Sequence, residues 1–163
     1  MKKRSLLLLL LALVLLLSAC SASTGKPGSI TVAELKTALE STDVGLKTVD
    51  DGKNVTQFTI TASNVNAKKL TNRSYVKEAY ELTMSNPGKM VYGQFLTMNG
   101  FHPAMSVLGL IDTTPDGSFD AEAFIEEILD VICDGKAHTE AGWTITAKVS
   151  TENDTLTITG VYE

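Results

Sequence analysis

The chain has 163 residues, a formal net charge of −5 and a hydrophobic fraction of 44%. That length suits one domain of ordinary size, and the composition is too apolar for disorder. The acidic balance argues against nucleic acid as a partner, and two cysteines are too few for a disulfide scaffold.

Met1-Lys2-Lys3-Arg4-Ser5 is a positively charged start, and Leu6 to Leu17 is an unbroken apolar run that ends in Ser18-Ala19-Cys20. This pattern reads as a secretory signal peptide over residues 1–19. Twelve residues at ~1.5 Å rise make a helix of only ~18 Å, short of the ~30 Å hydrocarbon core, so the run is no spanning anchor. Leu17-Ser18-Ala19-Cys20 resembles the lipobox of bacterial lipoproteins, in which cleavage precedes a cysteine whose thiol has received a diacylglycerol. The resemblance implies an extracytoplasmic protein held at the membrane by lipid on Cys20, and it implies nothing about fold or activity. Ser21, where an Asp would retain a protein at an inner membrane, implies outward sorting if the host has two membranes. Without residues 1–19 the remaining 144 residues carry 11 basic and 19 acidic groups, about −8 in all. No further membrane span is expected, and lipid on Cys20 leaves Cys133 without a disulfide partner.

Residues 20–29, CSASTGKPGS, read as a flexible tether, so the fold is expected to begin at Ile30 and to occupy residues 30–163. Val32, Leu35 and Leu39 lie on one helical face, and Thr31 with Glu34 forms a capping-box pattern, predicting a helix over Val32–Ser41. Alternation at Val44, Leu46, Thr48 and again at Phe58, Ile60, Ala62 predicts a hairpin turning at Asp50-Asp51-Gly52-Lys53. Tyr75 to Ser85 fits either helix or strand. A strand is preferred because Tyr80, Leu82 and Met84 alternate into Asn86-Pro87-Gly88-Lys89, with Met90, Tyr92, Phe95 and Leu96 as a return strand.

Pro103–Ile111 reads as one or two buried helical turns. Phe119–Cys133 is the clearest helix, with Ser118 as N-cap, a wide apolar face from Phe124 to Ile132, and Gly135 as the left-handed residue beyond its end. A last hairpin alternates through Trp143, Ile145, Ala147, Val149 and through Leu156, Ile158, Gly160, Tyr162. Helix followed by hairpin thus occurs twice, in pattern more than in residues. Twenty threonines, none of them in the leader, suit a sheet with one face in water. The expected fold is a single α+β domain: an antiparallel sheet of about six strands built from hairpins, with the helices packed on one face.

Candidate sites are few. Glu122, Glu126, Asp130 and Asp134 recur every fourth residue and share a helix face, either a solvated face or a surface for a cationic partner or divalent ions. Asp112, Thr114, Asp116 and Asp120, with Gly117 and Phe119, resemble an EF-hand or dockerin calcium loop. Ala123 stands where the twelfth-position carboxylate belongs and Pro115 stiffens the loop, so at most weak, millimolar calcium is expected, and otherwise a turn leading into the helix. His102 and His138 have no metal-ligand spacing, and Cys133 reads as an inert buried thiol whose acidic neighbours raise its pKa. Trp143 and the tyrosines read as packing residues, and no nucleophile or nucleotide-binding motif is present. The expected function is a non-catalytic binding or accessory module of the cell envelope that meets a protein, polysaccharide or ion. The alternative is a small hydrolase using a carboxylate pair.

Overall fold

The structure, a computed structural model, describes residues 28–85, 92–112 and 120–163. The leader, Cys20 and the tether as far as residue 27 lie outside the described residues, as do the Asn86–Lys89 turn and Ser118. The elements are α1 (Val32–Ala38), β1 (Val44–Asp50), β2 (Val55–Ser63), α2 (Ala67–Leu70), α3 (Arg73–Ser85) and α4 (Tyr92–Ile111). They continue with α5 (Ala121–Ile132), β3 (His138–Glu140), β4 (Trp143–Ser150) and β5 (Thr155–Tyr162). The result is an α+β domain around one antiparallel sheet in the order β1-β2-β5-β4-β3.

The first helix starts as its residues dictate. Glu34 N–H donates to Thr31 Oγ1 at 3.2 Å, and Thr31 N–H donates to Glu34 Oε2 at 2.8 Å. It ends at Ala38, short of Ser41, because the chain turns at Leu39 and the Thr42 N–H and hydroxyl both donate to the Leu39 carbonyl. Of the three predicted hairpins the first and the last form, and the long pairing of β2 with β5 joins them into one sheet. The short edge strand β3 pairs with the start of β4 and was not expected.

The middle of the chain corrects the sequence reading. Arg73–Ser85 is a helix, not a strand: the Asn72 side chain caps it by accepting from Tyr75 N–H, and Val76, Ala79 and Tyr80 bury one helical stripe. Leu82, which alternation would place beside the buried Tyr80, is 48% exposed, so burial does not follow the period of two. Tyr92, Phe95 and Leu96 belong to a 20-residue helix that runs through Pro103 to Ile111, so no second hairpin forms there. Pro103 removes one rung of its ladder, and the helix continues. The sheet therefore has five strands, not six.

Helices α4 and α5 lie against the sheet, α1 packs on α4, and α3 packs on α4 and α5. Phe101, Ala104, Val107, Leu108 and Ile111 of α4 are buried with Ile125, Ile128, Leu129 and Ile132 of α5 and with Phe58, Ile60, Ile145 and Ile158 of the sheet. No helix among the described residues packs on the opposite sheet face, and none of its side chains between the strand ends is buried. Among the described residues, no helix is long and apolar enough to cross a membrane.

The fold takes hold two residues earlier than expected. The Trp143 indole N–H donates to the Gly28 carbonyl at 2.6 Å, and Ile30 O accepts from Val55 N–H at 2.7 Å. Gly28 has φ +78°, and a Cβ there would lie 2.1 Å from the Ala141 carbonyl oxygen. Position 28 thus requires glycine, both for its backbone conformation and for the close approach of the β3–β4 turn.

Candidate functional site

The acidic row, Glu122, Glu126 and Asp130 on α5 and Asp134 just beyond its end, is met from within the chain. The Asn72 cap starts α3 so that Arg73, in its first turn, reaches across to α5. The Arg73 guanidinium donates to Asp130 Oδ1 at 3.0 Å, to Asp134 Oδ2 at 2.6 Å and to Glu126 Oε2. Lys77, one turn along α3, donates to Glu126 Oε1 at 3.1 Å, and Lys136 donates to Asp130 Oδ1 at 3.0 Å. Three of the four carboxylates therefore have cations of this chain beside them, which offsets like-charge repulsion along the helix. Glu122, at the N-terminal end of the row, borders a groove with Lys77, Tyr80, Glu81, Ala121 and Ile125.

Lys77 first and then Arg73 hold the Glu126 carboxyl below its ordinary value of 4.5, while Lys136 and Arg73 hold Asp130 below 3.8. Because both folded values are depressed, the stability these pairs add is present above the ordinary values and is lost as pH falls through the folded ones. Arg73→Ala should accordingly lower the melting temperature at neutral pH and low salt. The gap from the parent should shrink below about pH 3 and in about 0.5 M salt, because protonation and screening remove what Arg73 supplies. A gap independent of pH and salt in thermal melts would mean that Arg73 acts through packing alone.

The candidate calcium residues divide. Thr114 and Asp116 lie outside the described residues, as does the rest of the 113–119 loop. Asp120, not Ser118, is the N-cap of α5: its Oδ1 accepts from the N–H groups of Glu122 at 3.0 Å and Ala123 at 3.1 Å. One oxygen that a calcium loop would need is thus engaged in the helix cap. Asp112 borders an open groove lined by His102, Met105, Ser106, Gly109 and Phe124. Among the described residues no group of three or more His, Cys, Asp or Glu is arranged to hold a metal ion.

A second carboxylate cluster was not singled out from sequence. Glu127 of α5 sits against β3, where burial pushes its carboxyl above the ordinary range. His138 opposes that shift, while Glu140 and Asp112 add to it. His138 Nε2 lies 3.2 Å from Glu140 Oε2. A half-buried carboxylic acid beside a histidine suits proton transfer in principle. The open groove beside His102, however, takes in Asp112 and neither Glu127 nor Glu140. The signal for this cluster, glutamate on the α5 flank facing a His-x-Glu strand, depends on an edge strand too short to read from pattern.

Cys133 is partly buried, and its thiol donates to the Leu70 carbonyl at 3.1 Å. Burial, reinforced by Asp134, pushes its pKa from 9.0 up to about 11. Iodoacetamide should alkylate the native thiol about a hundredfold more slowly than the unfolded one near pH 8, measured by mass spectrometry against a urea-unfolded control. Equal rates would mean that the thiol is open to solvent. No family model matches the chain, and neither the curated proteins nor the solved structures compared with it give a match.

Proposed function

We propose that this protein is a lipid-anchored, extracytoplasmic module of the bacterial cell envelope that binds its partner without transforming it. The observation that carries the reading is the lipobox-like run ending at Cys20, eight residues before Gly28. Eight residues span at most ~27 Å, so a lipid on Cys20 would hold the domain close to the membrane surface. Cleavage before Cys20 removes the whole apolar run, so acyl chains must supply membrane affinity, at ~0.8 kcal/mol per buried CH₂. Two or more chains make that attachment durable where one would not. The hydrolase reading would draw on Glu127, but the groove lined by His102 and Asp112 takes in neither Glu127 nor Glu140, and the binding reading is preferred.

Membrane fractionation followed by mass spectrometry of the N-terminus tests the anchor. A mature chain that starts at a diacylglyceryl-modified Cys20 is the expected result. Cys20→Ala should accumulate as unprocessed precursor or be shed by another peptidase. An unmodified Cys20, or a mature chain starting elsewhere, overturns the assignment.

A further inference from the structure

The face of the sheet turned away from the helices has a composition unlike the rest of the molecule. Between the bulge at Val49/Asp50 and the strand ends it presents sixteen positions, none of them buried. Ten are Thr or Ser, two are Lys and none is Asp or Glu, in a chain whose net charge is −5. The nearby acids sit at strand ends and in the turns: Asp50, the last residue of β1, and Asp51 accept from turn N–H groups, Asp154 accepts from Ala67 N–H, and Glu152 lies exposed in the β4–β5 turn.

Strand register aligns these groups in rows. Lys47, Thr59, Thr159 and Thr146 lie side by side across β1, β2, β5 and β4. The next row holds Thr61, Thr157 and Lys148. Three strand spacings and a two-residue step put the two lysines roughly 16 Å apart, with threonine hydroxyls between them. A further row sets Val49 and Val161, 57% and 41% exposed, on either side of Gln57. These are two of the three exposed large apolar side chains among the described residues.

Hydroxyls both donate and accept, the lysines add positive charge, and none of the sixteen face positions carries a carboxylate to repel an anion. Five strands at ~4.8 Å and about seven residues at ~3.3 Å give a face of roughly 550 Å², below the ~800 Å² per partner of a stable protein interface. A second copy laid face to face would also bring lysines towards lysines. An extended chain that crosses the face diagonally avoids both problems.

Resting on the reading of this protein as an envelope binding module, we infer that the open sheet face binds an extended, hydroxylated polymer with repeating anionic groups, held at its charges by Lys47 and Lys148. Affinity electrophoresis of the full-length protein in detergent tests this. The probes are poly(glycerol phosphate) and polygalacturonate, with neutral dextran as control. One or both anionic polymers should retard the wild-type protein, and which one does so distinguishes a polyol phosphate from a uronate glycan. K47Q/K148Q should bind at least tenfold more weakly, as should T159E, which places a carboxylate mid-face. K36Q/K68Q, which removes two exposed lysines carried by helices α1 and α2, should bind as wild type does. The inference is overturned if neither polymer retards the wild type, if dextran retards it equally, if K47Q/K148Q matches wild type, or if K36Q/K68Q loses as much. None of these outcomes depends on the lipid at Cys20, which membrane fractionation tests separately.

Discussion

Trp143→Ala is expected to destabilise the domain by about 3–5 kcal/mol, lowering the melting temperature by roughly 10–20 °C. Trp143 is fully buried, with its ring 5.3 Å from Phe58 and 5.2 Å from Tyr162 between centroids. Truncation opens a large cavity in this aromatic row. It also deprives the Gly28 carbonyl of its donor, the contact that ties the start of the fold to β4. Trp143→Phe keeps most of the packing and removes the indole N–H, so a smaller loss of about 1 kcal/mol is expected. Because Trp143 is the only tryptophan, both variants should be followed by circular dichroism and not by fluorescence. A shift below about 3 °C for Trp143→Ala would show that the row tolerates a void.

Gly160→Ala should cost towards the upper end of the ~1–3 kcal/mol seen for overpacked cores. Gly160 lies in β5 between Phe58 of β2 and Ile145 of β4, and the Phe58 ring lies across it. An added Cβ would stand 2.2 Å from Phe58 Cε1 and 2.9 Å from Ile145 Cδ1. Phe58 has little room to withdraw, since Trp143 packs beside it. Combining Gly160→Ala with Phe58→Leu should therefore cost less than the sum of the two single changes, a coupling that urea midpoints can measure. Additive effects would mean that the clash is relieved by backbone movement.

Residue pattern alone determined the elements whose signals are local. Thr31 and Glu34 lie within one turn of each other, and their capping box needs no distant partner. The helix from Ala121 to Ile132 buries the stripe that its spacing announces, and the outer hairpins bury alternate residues, with Trp143 directly opposite Tyr162. Abundant threonine pointed to a water-facing sheet, and eight of the twenty lie on its open face. The common face of Glu122, Glu126 and Asp130 was equally legible, because a helix places every fourth residue together, whereas Asp134 lies beyond the helix end and joins the row through Arg73.

Tertiary structure alone decided the rest. Tyr75–Ser85 satisfies both periods, and the choice follows from which stripe finds a partner: Val76, Ala79 and Tyr80 bury theirs where α3 packs on α4 and α5, and Leu82 stays outside. The cation that meets the acidic row is Arg73, 57 residues from Asp130, a separation that no local pattern spans. Asp120 replaces Ser118 as the cap because the helix begins at Ala121, and ends are set by where the chain turns into the core. The open face, with its rows of hydroxyls between two lysines, exists only once β5 returns from the far end of the chain to pair with β2, since register across strands is a non-local property.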